Sequence, residues 1–94
     1  MSDEIMMRVH KTTDLTEAAA LWALGHPLHD IEVRDGWATF AIGYTVEQHE
    51  IEASVEQYRR GELLVEAGEF ARRRNETAAK MRRAIAVAAE AADE

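Results

Sequence analysis

Ninety-four residues, 47% hydrophobic and 31% charged with a net charge of −7, describe one folded domain, neither a disordered chain nor two domains. The absence of cysteine excludes a disulfide framework, thiol catalysis and cysteine-ligated zinc, and makes the cytoplasm the expected location. Only 6% of the residues are aromatic, so the core is expected to be thin, and a partner or a second copy would add stability.

The first eleven residues, MSDEIMMRVHK, are too short, too acidic and too polar for a signal peptide, and no apolar run approaches the length of a membrane span. Ile5 to Lys11 alternates, with Ile5, Met7 and Val9 opposite Met6, Arg8 and His10, which predicts a strand. Thr12-Thr13-Asp14 supplies capping side chains for a first helix over about Asp14 to Leu24. That helix is apolar nearly all round: Leu15, Ala18, Ala19 and Trp22 share a face while Leu21 and Leu24 point elsewhere, so burial on two sides, or on one side plus a partner, is expected. Gly25 and Pro27 end it.

Residues 28–42, LHDIEVRDGWATFAI, form the best-specified stretch. Asp35-Gly36 lies between two alternating runs and predicts a two-residue hairpin turn. The implied pairs are Arg34/Trp37, Val33/Ala38, Glu32/Thr39, Ile31/Phe40, Asp30/Ala41 and His29/Ile42. One face then carries Ile31, Val33, Ala38, Phe40 and Ile42, and it needs helices to cover it. Gly43 is expected to break the second strand. Thr45 should cap a second helix running to about Arg60, with Ile51, Val55 and Tyr58 inward and Gly61 as its stop. Glu62 to Glu66 reads as a short edge strand or an extended connector. A last helix is predicted from Glu69 to about Ala92, with Phe70, Thr77, Met81, Ile85 and Ala88 in one band and an alanine-rich end that should fray. The order is β-α-β-β-α-(β)-α. The fold class is α+β: a small antiparallel sheet covered on one face by three helices, in a single domain over 1–94 with an ordered core of about 5–88.

Several of these positions recur in a known order: Thr13-Asp14-Leu15, Ala18-Ala19-Ala20, Gly25-His26, Ile31-Glu32, Phe40, Tyr58 with Gly61, Val65 and Phe70. In this the chain resembles a family of short bacterial and phage domains of unknown function, over roughly residues 8–85, and departs from it in the alanine-rich tail. The resemblance implies the same fold and a phage or mobile-element setting. It carries over no catalytic residue.

Chemistry has few candidates. His26, His29 and Asp30 form the one histidine cluster in the sequence, but their spacing matches no known zinc motif. The simpler reading has His26 covering the last carbonyls of the first helix and His29 ending the hairpin's inner face. His10 and His49 read as surface residues. Neither a nucleophile elbow nor a phosphate-binding loop is present, so no enzyme activity and no cofactor are expected.

Charge is unevenly spread: residues 1–68 sum to −8, residues 69–83 to +4 and residues 84–94 to −3. Arg72, Arg73, Lys80 and Arg83 form a basic stripe on the last helix, with Glu69 and Glu76 spaced to pair with Arg73 and Lys80. Arg74 falls in the apolar band, where it must snorkel outward or meet a carboxylate. Trp37, across the hairpin from Arg34, is the leading candidate for a recognition residue. The favoured function is a non-enzymatic protein-interaction module that inhibits or modulates a host complex such as a defence effector. Its contacts would be Trp37, Arg34 and Arg74, and its partner another protein or its own copy. The first alternative is a nucleic-acid accessory protein using Arg72, Arg73, Lys80 and Arg83. A histidine metal site or small enzyme is the second.

Overall fold

The computed structural model describes residues 7–92. The chain runs β1 (Arg8–Thr12), α1 (Leu15–Ala23), β2 (Leu28–Arg34), β3 (Trp37–Tyr44), α2 (Gln48–Arg59) and α3 (Ala67–Ala92). The sheet is antiparallel in the order β1-β3-β2, so β3 is central and both other strands are edges. This is the α+β arrangement expected from the sequence. Ile5 and Met6, also expected in the first strand, lie outside the described residues.

The hairpin turn sits where the Asp-Gly dipeptide predicts it. Asp35 (φ 54°) and Gly36 (φ 80°) both take the positive φ that a type I′ turn requires. Five of the six expected β2–β3 pairs form, from Arg34↔Trp37 to Asp30↔Ala41. The sixth does not: Leu28, not His29, faces Ile42, and the register slips between Leu28 and Asp30. The slip ejects His29 to the surface and gives the inner face a leucine in its place. Gly43 does not break β3. It pairs with Val9 of β1, and its N–H donates to the Pro27 carbonyl at 2.9 Å, tying the entry of β2 to the far end of β3.

Phe40, Ile42 and Tyr44 project from one face of β3 into the core, where they meet Ala18 and Leu21 of α1 and Ile51 and Val55 of α2. Leu15, Leu28, Ile31 and Met81 close the edges of this cluster. α1 is buried on two sides, the first of the two placements its all-round apolar sequence allows, because it lies between the sheet and α3. Its N-cap is Asp14, whose Oδ1 accepts the N–H groups of Thr16 (2.9 Å) and Glu17 (3.2 Å). After Leu24 the chain turns, and the His26 N–H donates to the Leu21 carbonyl at 3.0 Å. His26 thus covers a terminal carbonyl through its backbone.

α2 starts later than expected. Glu47, not Thr45, is the N-cap, and its N–H is accepted by the Glu50 carboxylate at 2.9 Å. Residues 62–66 are an extended connector and pair with no strand. At their end Glu66 takes the N–H groups of Gly68 and Glu69 on its side chain, so α3 begins at Ala67. α3 continues to Ala92, through the alanine-rich stretch expected to fray.

Candidate functional site

Three places gather polar or exposed groups. The first is a cluster built around Glu17, which is only 2% exposed although it carries a carboxyl group. An isolated buried charge is costly, so its partners decide whether it is tolerated. His10 Nε2 of β1 lies 3.4 Å from one oxygen, and Arg59 Nε, at the end of α2, lies 3.5 Å from the other. Close by, the Tyr58 hydroxyl donates to Asp14 Oδ2 at 2.9 Å, so one carboxylate caps α1 and anchors the end of α2. Burial first, and then the hydrogen bond to Asp14, push the Tyr58 phenol up to about 12. The cluster joins β1, α1 and α2 by charge and hydrogen bonds. His10 is therefore half-buried against Glu17, which corrects its expected placement at the surface. Nothing in the sequence marks Glu17 for burial except its position inside an otherwise apolar helix.

The second place is the basic stripe of α3, which divides in two. Arg73 Nε bonds Glu69 at 2.8 Å, its Nη1 reaches Glu76 at 3.4 Å, and its guanidinium lies 4.5 Å from the centre of the Trp22 ring. Arg72 also pairs with Glu69. Both arginines are thus engaged within the chain, and Glu76 pairs with Arg73 where Lys80 was an expected partner. Lys80, Arg82 and Arg83 are exposed and have no ion-pair partner among the described residues. Arg74 is exposed as well, which resolves its position in the apolar band by an outward reach of the side chain.

Trp37 is 78% exposed on the sheet face that carries no helix, paired in register with Arg34. Among the described residues the cation–π contact is that of Arg73 with Trp22, not Arg34 with Trp37.

The third place, which the sequence did not reveal, is a trough of about 420 Å³ along the outer flank of the hairpin. Ile31 and Val33 of the edge strand β2 form one wall. Ala84, Val87, Ala88 and Ala91 form the other, at the three- and four-residue spacing of one α3 face. Lys80 and Arg83 line its end nearer the middle of the helix. Val87 is 59% exposed. The available signal was the 80, 83/84, 87/88, 91 spacing, hidden because alanines read as helix-formers, not as contacts.

His26, His29 and Asp30 do not come together: among the described residues no three His, Asp or Glu side chains are arranged to hold a metal ion. Burial lowers the His26 pKa, and the nearby Glu50 charge partly offsets that. No helix among the described residues is long and apolar enough to cross a membrane. Comparison with protein-family models, curated proteins and solved structures finds no match to the chain, so the resemblance to short bacterial and phage domains rests on the residues that carry it.

Proposed function

We propose that this chain is a non-enzymatic protein-interaction module whose working surface is the flank shared by β2 and the second half of α3. The observation that carries the reading is the apolar trough between Ile31/Val33 and Val87/Ala88, open to solvent beside two cations with no ion-pair partner among the described residues. An apolar floor with charges at one end suits an amphipathic protein segment carrying carboxylates. A nucleic-acid strand would ask for more free cations and for aromatic stacking surfaces than this flank offers, since Arg72 and Arg73 are tied to Glu69. The acidic remainder of the chain would oppose it too.

A photo-reactive amino acid placed at Val87, with a control at exposed Glu52 on α2, tests the reading in cells that express the chain. A discrete adduct from position 87 and none from position 52 is expected. Equal background from both positions would remove the proposal.

A further inference from the structure

We infer that the occupant of the β2–α3 trough is a second copy of this chain, its α3 lying antiparallel against the first about a two-fold axis near Val87. This rests on the trough being an interaction surface and goes on to name what fills it.

The end of α3 is self-complementary in charge. Lys80, Arg82 and Arg83 are followed by the uncharged run Ala84-Ile85-Ala86-Val87-Ala88-Ala89, and then by Glu90. Val87 is midway between Ala84 and Glu90. Two such helices laid antiparallel and crossing at Val87 bring Glu90 of each copy beside Lys80 and Arg83 of the other, twice over by symmetry. A parallel arrangement sets cations against cations and is disfavoured. The apolar geometry agrees with the charge. Val87 stands out from the wall of its own trough, and across the two-fold it would enter the partner's, between Ile31/Val33 and Ala88. Alanines at 84, 88 and 91 allow the two helix backbones a close approach. Because β2 is an edge strand, no other part of the sheet stands in the way.

Charge-swapped variants test the arrangement in the purified full chain by sedimentation equilibrium. The unaltered chain is expected to be a dimer. Lys80→Glu/Arg83→Glu and Glu90→Lys each place like charges at both contacts of their own dimer, and each should weaken self-association by about tenfold or more. An equimolar mixture of the two should recover the dimer, with one copy of each, read by native mass spectrometry. Because the chain has no cysteine, Val87→Cys gives an independent readout: a residue on the axis should form an intermolecular disulfide readily, while Glu52→Cys should not.

A chain that stays monomeric into the millimolar range overturns the inference, as does a dimer indifferent to the swaps or not recovered on mixing. If the position-87 crosslinker meanwhile yields an adduct with a different protein, the module reading survives and only the second copy is lost. If it yields no adduct and the chain is monomeric, both fall.

Discussion

The two halves of α3 belong to one unbroken helix but are held by different means. The first half, to Met81, packs on α1 with bulky groups. Thr77 is sealed from solvent, Phe70 and Met81 are half-buried, and Arg73 lies over Trp22 while bonded to Glu69 and Glu76. The second half lies beside the edge of the sheet, through alanines and Ile85, and leaves Val87 open. A short stretch of alanine helix is marginal in water without packing. The contrast teaches that helical continuity says little about where a helix is anchored. Here the anchored half serves the fold and the lightly held half is available for contact.

The largest disruption of the contrast should come from α1. Leu21 is fully buried beneath the sheet, and Leu21→Ala should cost about 2–5 kcal/mol, measured by urea unfolding. A loss below about 1 kcal/mol would mean that α1 is not the anchor the packing implies. A smaller effect, about 1 kcal/mol, is expected for Arg73→Ala, which removes the contact with Trp22 and the bond to Glu69. Made in a Trp37→Phe background, it should also shift the emission of Trp22, which is then the sole tryptophan.

In the second half, Ala86→Gly should lower helix stability locally by about 0.5–1 kcal/mol. Hydrogen exchange should quicken at the amides of residues 82–92 and leave residues 70–79 unchanged. Faster exchange along the whole helix would show that the halves are one cooperative unit.

The smallest effects are those of pH, and they belong to the ends of α1 and α2, not to α3. Tyr58 titrates near 10 in the unfolded chain and at about 12 when folded, so its contribution is present below pH 10 and lost as the pH rises toward 12. Tyr58→Phe should flatten the fall in the urea midpoint between about pH 10 and 12. His26 works at the other end of the scale. Its folded pKa is lowered, so the unfolded chain takes up the proton first and stability falls as the pH drops through 6.5. His26→Gln should reduce that slope.

Much of the fold was legible in local residue chemistry. Asp35-Gly36 fixed the turn, alternation on either side fixed the inner face, and the all-round apolar α1 announced burial on two sides or on one side plus a partner. What escaped depended on contacts between distant segments. The slip at His29 follows from the bond between Gly43 and Pro27, fifteen residues or more apart in sequence, and no single-residue signal marks it. Glu17 reads as a solvated helix acid until His10 and Arg59, on two other elements, are brought to it. The trough was equally hidden, since only the docking of α3 beside β2 turns a row of alanines into a wall. Arg74, for which the apolar band left an outward reach or a carboxylate partner, is exposed. The cation–π contact joins Arg73 to Trp22, a pair the sequence did not mark, while Trp37, across the hairpin from Arg34, stands exposed.

Gly43 has a role beyond its place in the ladder. On the helix-free face of the sheet, a Cβ at this position would stand 2.5 Å from Met7 Sδ, so the thioether rests in space that any larger residue would fill. Met7 is itself partly open to solvent and flexible, and it can swing away. The two sites are therefore epistatic: an alanine at 43 carries a steric cost while methionine occupies position 7 and little once that side chain is shortened. In a lineage of such sequences, substitutions at 7 and 43 would be accepted in a preferred order, smaller at the strand edge before larger at its centre.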